Sequence, residues 1–308
     1  MKHFLTLADL TSEQMRHILD LAVRIKAAWK AGEDTPYLKG KVLGMIFQKP
    51  SLRTRVSFDV AMLQLGGNAL YLSPDEIQLG KRESVADVAR VISRYVNVVM
   101  ARVFAHADVE ALAKYATVPV INGLSDYSHP CQGMADFLTI LEHKGSFKGK
   151  KLVYLGDGNN VATSLLYGAT LLGMDFTIAS PKGYTLHPAI WEIGRRLAAA
   201  SGSKIEATSD PFAAVQDADV IYTDTWTSMG QEAEAEQRRK VFPPYRVDEA
   251  KLALAKPDVI VMHCLPAHRG EEITDAVADG PHSAIFDQAE NRLHAQKAIL
   301  VWVLDAEN

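Results

Sequence analysis

Apolar residues fall into two alternating rhythms along this chain. Met15, Ile18, Leu19, Ala22 and Ile25 recur at the spacing of one helix face, and Thr11-Ser12-Glu13-Gln14 before them has the spacing of a capping box. That stretch predicts an amphipathic surface helix ending at Gly32. From residue 42 to 47 the apolar run is unbroken, as in a strand buried on both faces, and a helical pattern follows over 56–65. A short apolar stretch at 69–72, a polar loop at 73–82 and a helix from Ser84 come next. A β-branched run over 97–103 contains Arg102, a helix covers 107–116, and 118–122 reads as another strand. After Pro130, a favoured first residue of a helix, Met134, Phe137, Leu138 and Leu141 again keep helical spacing. A second series then places strands at 152–155, 176–179, 205–207, 220–222 and 259–262, with helical patterns between them. A short apolar piece at 284–286 precedes a last periodic stretch, 289–304, long enough to cross back to the first half.

Strands alternating with helices predict an α/β fold of two doubly wound domains, each a mainly parallel sheet with helices on both faces, joined by interdomain helices. The expected domains are 1–130, completed by about 289–308, and 148–285, with 131–147 as the linking helix. At 308 residues the chain is long enough for two cores. The net charge of −4 is spread along the sequence, which removes the polybasic footprint of a nucleic-acid or membrane binder. Any anion site must therefore be local. The two cysteines, Cys131 and Cys264, lack C-x-x-C spacing, so they argue for a reducing compartment and against zinc. No apolar run approaches the roughly 18 residues of a spanning helix, and a cytoplasmic protein is expected.

The chemistry sits where strands give way to helices. Ser51-Leu52-Arg53-Thr54-Arg55 lies between the strand at 42–47 and the following helix. Unpaired N–H groups at a helix start, the positive end of the dipole, two arginines and two hydroxyls suit phosphate oxygens, while a solvated basic turn capped by Ser or Thr is the plainer reading. His129 and Gln132 stand three apart at a helix start and suit a carbonyl oxygen, although a histidine before proline also serves as a cap. Gly156-Asp157-Gly158-Asn159-Asn160 follows a strand, which raises nicotinamide binding. Val161 stands where the third glycine belongs, and Ala179-Ser180 supplies no acid for a ribose. An acid at Asp224 with a glycine-bearing loop beyond it, Ser228-Met229-Gly230, can hold an ammonium group. His263-Cys264-Leu265-Pro266 ends a strand, where a core cysteine is the plainer reading, and Arg292 opens the last helix, where a surface ion pair is the plainer one.

Taken together, these stretches resemble the aspartate/ornithine carbamoyltransferase family along nearly the whole chain. The matching motifs are Ser-Leu-Arg-Thr-Arg at 51–55, His-Pro-Cys-Gln at 129–132, Asp-Gly-Asn-Asn at 157–160, Asp224 with Ser-Met-Gly at 228–230, and His-Cys-Leu-Pro at 263–266. The first two mark the carbamoyl phosphate site of the whole family, and the last three its ornithine branch. The resemblance implies a carbamoyl phosphate domain followed by an ornithine domain, and transfer of the carbamoyl group to the side-chain amine of L-ornithine, giving L-citrulline and phosphate. It implies no cofactor and no metal. Ser51, Arg53 and Thr54, with the backbone N–H of Leu52, would hold phosphate, and Arg102 would reach phosphate and carbonyl together. Arg55 would brace the loop. His129, Gln132 and Arg292 would surround the carbamoyl group; Asn160, Asp224, Ser228 and Met229 would hold the amino-acid end of ornithine; Cys264 and Leu265 would lie by its amine. Arg53, Arg102, His129, Cys264 and Arg292 are the implied catalytic residues. Family active sites lie between subunits of a trimer, and Gln78 matches a contact contributed by the neighbour.

Two positions depart from the family pattern. Relatives commonly carry Thr where Leu52 stands and Glu where Gln48 stands, so the bracing of Arg53 or Arg55 is expected to differ here. The departures bear on affinity rather than on reaction type. Rival readings are a carbamoyltransferase for putrescine or an acylated ornithine, against which Asp224 and Ser-Met-Gly argue, and a nicotinamide-dependent dehydrogenase, which Val161 opposes.

Overall fold

A computed structural model of the chain describes residues 1–227 and 232–307. It divides into two compact units, Met1–Leu138 with Asn291–Asn308, and Thr139–Glu290. The first begins with α1 (Ser12–Lys30), whose N-cap Thr11 and Gln14 form the expected reciprocal cap. Strands β1 (Val42–Phe47), β2 (Asn68–Leu72), β3 (Val98–Arg102) and β4 (Val120–Leu124) then form a parallel sheet in the order β2-β1-β3-β4. Helices α2 (Leu52–Gln64), α3 (Pro74–Ile77), α4 (Val85–Ile92) and α5 (His106–Tyr115) connect them. Because the chain runs outward from β1 to β2 and then returns past β1 to β3, the winding reverses between β1 and β3. Ligands of such sheets bind beyond the carboxyl ends of the strands at that reversal. The register pairs Phe47 with Arg102, so the ends of β1 and β3 lie side by side.

Helix α6 (Pro130–Lys144) carries the chain into the second unit. There β5 (Lys151–Leu155), β6 (Asp175–Ala179), β7 (Ile205–Thr208), β8 (Val220–Thr223) and β9 (Ile260–His263) form a parallel sheet in the order β7-β6-β5-β8-β9. Its reversal falls between β5 and β8, whose ends pair Leu155 with Thr223. The connecting helices are α7 (Asn160–Leu172), α8 (Pro188–Ser201), α9 (Pro211–Val215), α10 (Ala235–Val241), α11 (Glu249–Leu252) and α12 (Asp275–Ala278). Finally α13 (Ile285–Val303) returns the chain to the first unit.

Both sheets are rigid for the same reason. Ile46, Val99, Ala101 and Val120 are buried in one core, and Val153, Leu155, Ile221 and Val261 in another. Fully burying each large aliphatic side chain is worth about 1.5–3 kcal/mol. Helix α7 is buried from Val161 to Leu172, so packing holds it behind its half-buried first residue, Asn160.

Several boundaries differ from the sequence reading by a few residues, and three are instructive. Helix α2 starts at Leu52 rather than 56, because the residues of its first turn are polar and carry no apolar rhythm. The apolar piece at 284–286 is mostly the first turn of α13. Strand β4 starts at Val120 rather than 118, since Pro119 has no N–H to give a ladder.

Candidate active site

The N-terminus of α2 is both capped and open. Ser51 is extended (φ −159°), and its Oγ accepts the N–H of Thr54 at 3.4 Å. That leaves the first-turn N–H groups of Leu52 and Arg53 at the positive end of the helix. The Leu52 side chain is 77% exposed, so this position offers only its backbone. Arg53 is exposed and has no ion-pair partner among the described residues. Arg55 is committed elsewhere: its guanidinium lies 4.0 Å from the Tyr71 ring centre and 3.7 Å from Asp59.

Thr54, fully buried, is the point of convergence. Its Oγ1 accepts from Ser51 Oγ at 3.1 Å, from Arg292 Nη2 at 3.3 Å and from Arg102 Nη1 at 3.5 Å. Arg102 ends β3 and Arg292 lies on α13, so sheet register and the returning helix bring two cations to one hydroxyl. Arg292 Nη1 also donates to Gln132 Oε1 at 2.9 Å, and Gln132 Nε2 donates to Asp136 Oδ1 at 2.8 Å. His129, immediately before α6, is buried, and burial first, then Arg292, Arg102 and Lys49, hold its pKa well below the ordinary histidine value. It is therefore a neutral imidazole with one N–H to give. Seven expected residues, Ser51, Leu52, Thr54, Arg102, His129, Gln132 and Arg292, thus share one cluster, with Arg53 at its rim.

Gln78 stands apart from these contacts. It is exposed, left-handed (φ 40°) at the end of α3, and donates to the Asp75 carbonyl at 3.2 Å. Gln48 makes its side-chain bonds away from Arg53 and Arg55. Its Nε2 donates to Asp108 at 2.9 Å and its Oε1 accepts the Phe104 N–H at 2.8 Å, so Gln48 ties down the loop between β3 and α5. A carboxylate in its place could not donate to Asp108, which gives the neutral amide a structural reason.

The second unit gathers a different set. Asp224 follows β8; its Oδ2 accepts Asn159 Nδ2 at 2.8 Å, and its Oδ1 accepts the Thr225 N–H at 2.8 Å and the Cys264 thiol at 3.0 Å. Asn159 caps α7 by accepting the N–H groups of Val161 and Ala162, which places half-buried Asn160 at the first helical position. Gly158 is required by close approach, because a Cβ there would stand 2.4 Å from the Thr185 carbonyl carbon. Leu265, beside Cys264, is left-handed (φ 57°), and its N–H goes to His263 Nδ1 at 2.8 Å. That bond puts the ring proton on Nε2, which donates to Glu272 at 3.0 Å; both side chains are fully buried. Ser228 and Met229 lie outside the described residues.

Three residues here were missed by sequence reasoning. Lys49 is buried against Phe104, and burial followed by Arg102 pushes its pKa down. Glu272 orients His263. Arg238 on α10 donates to the Trp226 carbonyl at 2.8 Å and pairs with Asp157 at 2.8 Å, joining the loops after β8 and β5. The available signal for Arg238 was a cation soon after the Ser-Met-Gly loop.

A metal can be considered at Asp224, His263 and Cys264, whose ligand atoms lie within 4.8 Å of one another. Both ring nitrogens of His263 are already engaged, by the Leu265 N–H and by Glu272, so the set is hydrogen-bonded as it stands. His268, Glu271 and Glu272 form a second such group, which shares Glu272, the partner of His263. Among the described residues no helix is long and apolar enough to cross a membrane.

Comparisons with known proteins show the family of the chain. Residues 2–142 match the family model "Aspartate/ornithine carbamoyltransferase, carbamoyl-P binding domain", and residues 148–303 match "Aspartate/ornithine carbamoyltransferase, Asp/Orn binding domain". A Pyrococcus furiosus protein named "Ornithine carbamoyltransferase, anabolic" is 58% identical over 98% of this chain and 96% of its own length. The solved structure of ornithine carbamoyltransferase from P. furiosus superposes with a TM-score of 0.96 at 57% identity, covering 99% of this chain and 97% of that one. The anabolic ornithine carbamoyltransferase structure from Campylobacter jejuni gives 0.93 at 41% identity, with all of both chains covered. This chain belongs to the aspartate/ornithine carbamoyltransferase family.

Proposed function

We propose that the protein transfers the carbamoyl group of carbamoyl phosphate to the side-chain amine of L-ornithine, releasing L-citrulline and phosphate. The observation that carries this reading is the meeting of Arg102 and Arg292 at Thr54 Oγ1, directly behind the open N-terminus of α2. Two guanidinium groups held so close favour an anion between or before them. Ser51, Arg53, Thr54 and the N–H of Leu52 take the phosphate. Arg102, His129 and Arg292 face the carbonyl oxygen, and Gln132 the rest of the carbamoyl group. In the second unit, Asp224 and Asn160, with Ser228 and Met229, take the α-amino and α-carboxylate groups of ornithine. Cys264 and Leu265 flank its reacting amine.

The amine must attack as the free base. An alkylammonium has a pKa of about 10, so the reaction requires a site that disfavours its charged form. As the carbonyl oxygen gains charge, each preorganised donor is worth roughly 3–4 kcal/mol. The C–O bond to phosphate then breaks, the departing oxygens being stabilised by Arg53 and the α2 N-terminus. Phosphate itself is basic enough to take the amine proton, so Cys264 acts by contact rather than as the base. The chain needs no cofactor in this scheme. The family resemblance supports a cytoplasmic homotrimer in which a neighbour's Gln78 completes each site.

Citrulline formation assayed with ornithine, putrescine, N-acetylornithine and aspartate in parallel tests the reading. Ornithine should be the best acceptor by far. A preference for putrescine or N-acetylornithine would overturn the substrate assignment, and no product with any acceptor would overturn the reaction.

A further inference from the structure

Gln132 has two chemically opposite ends of nearly the same shape, and its neighbours decide which end a substrate meets. Its Nε2 donates to Asp136 Oδ1 at 2.8 Å and its Oε1 accepts from Arg292 Nη1 at 2.9 Å. All three side chains are buried, at 1% exposure for Gln132, 0% for Asp136 and 5% for Arg292. A carboxylate only accepts and a guanidinium only donates, so a flipped amide would set like against like at both ends. Asp136 lies one helical turn beyond Gln132 on α6, where i and i+4 side chains meet. Asp136 on α6 and Arg292 on α13 thus fix the two ends of the amide. With Arg292 on one lone pair, Oε1 keeps a second lone pair to accept a further N–H.

We infer that Asp136 is a positioning residue that sets acyl-group specificity. It holds Gln132 with its oxygen toward the acyl group, where it accepts the N–H of a carbamoyl NH2 and finds no partner on an acetyl methyl. This inference rests on the carbamoyl-transfer reading and names the group that makes that site selective for a carbamoyl donor. Asp136 acts on the acyl group through Gln132 and touches no substrate.

The test is a double-mutant cycle on the full chain with Asp136→Asn, Gln132→Met and the pair together. It reads the KM for carbamoyl phosphate, the competitive inhibition constant of inorganic phosphate, and citrulline formation. Asparagine can pair with either end of the amide and leaves Arg292 alone to hold its orientation, so Asp136→Asn should raise the carbamoyl phosphate KM by about 3- to 10-fold, the range of one hydrogen bond between neutral groups. Phosphate inhibition should stay within about twofold, because the α2 seat is untouched. In the Gln132→Met background, Asp136→Asn should add nothing. A loosened fold would weaken phosphate and carbamoyl phosphate alike, and that result would overturn the inference. So would an unchanged KM in Asp136→Asn, or a full additional effect in the double variant. Should Asp136→Asn not fold, Asp136→Ser enters the same cycle. Absence of citrulline from the unaltered protein would instead overturn carbamoyl transfer itself, leaving the two failures distinct.

Discussion

Arg53 and His129 are placed very differently in the proposed site. Arg53 is exposed on the first turn of α2, so removing it should leave stability within about 0.5 kcal/mol, as for other surface positions. Turnover is another matter, since the leaving phosphate would lose a donor in the transition state. Arg53→Ala should lower kcat by about 10²–10³-fold with an unchanged melting temperature, and near-normal kcat would remove Arg53 from the chemistry. His129 is buried, and its pKa is held well below the ordinary value by burial, Arg292, Arg102 and Lys49. Below about pH 6.5 the unfolded chain takes up a proton that the folded one refuses, so this group's contribution to stability falls with pH until the depressed pKa is reached. Above that range His129 stays neutral. The acid limb of kcat/KM for ornithine should therefore reflect the substrate amine, and His129→Gln should lower the plateau without moving the midpoint. Matching pH profiles of the two proteins check this; a midpoint displaced by a full unit would show that His129 titrates during turnover. Single residues were legible in the sequence where they lay in contiguous motifs. Asp136 and Glu272 were not, because each meets a motif residue through a contact that only folding creates, and Lys49 was not, because its burial against Phe104 is a product of the fold.

Elements turn such contacts into positioned loops, and α10 is the clearest case. Its Arg238 is 4% exposed, pairs with Asp157 on the loop after β5, donates to the Trp226 carbonyl on the loop after β8, and lies 5.0 Å from the Tyr184 ring centre. Removing one partner of a buried pair typically costs about 3–5 kcal/mol. Arg238→Met should lose stability on that scale and raise the KM for ornithine more than that for carbamoyl phosphate, because both loops belong to the second unit. Burial already holds the Asp157 carboxyl above its usual pKa despite Arg238. Without the arginine it rises further, so between the unfolded value near 3.9 and the raised folded one the native chain holds the extra proton. The variant's added instability should therefore grow as pH rises through that window, as urea melts at several pH values would reveal; a pH-independent loss would contradict the buried-carboxylate account. The strands themselves were readable from apolar runs, as β1 and β5 show. Their order in each sheet was not, since β1 pairing with both β2 and β3 is decided by helix packing and winding rather than by any local rhythm.

The whole molecule adds a demand that neither unit meets alone. Leu63 and Val56 on α2 and Leu70 on the edge strand β2 are 72%, 48% and 47% exposed, and α2 packs on β2. An open parallel edge beside apolar side chains favours cover by another chain. Gln78 closes the short helix α3, between β2 and α4, and its exposed side chain donates to the Asp75 carbonyl. Both features suit the proposed trimer, in which each site takes Arg53 from one subunit and Gln78 from the next. A head-to-tail ring of this kind makes a sharp prediction. Arg53→Ala and Gln78→Ala trimers should each be nearly inactive, since every site lacks one group. After the two are dissociated, mixed in equal amounts and reassembled, a site is intact when its own subunit carries the Gln78 change and the contributing neighbour carries the Arg53 change. Random assembly gives that arrangement at about one site in four, so activity should recover to about a quarter of the unaltered protein's. Sites built within a single subunit recover nothing on mixing, because every chain still carries its own defect. Recovery near a quarter therefore requires the shared site, and its absence from trimers shown by mass to be mixed would assign Gln78 to its own chain.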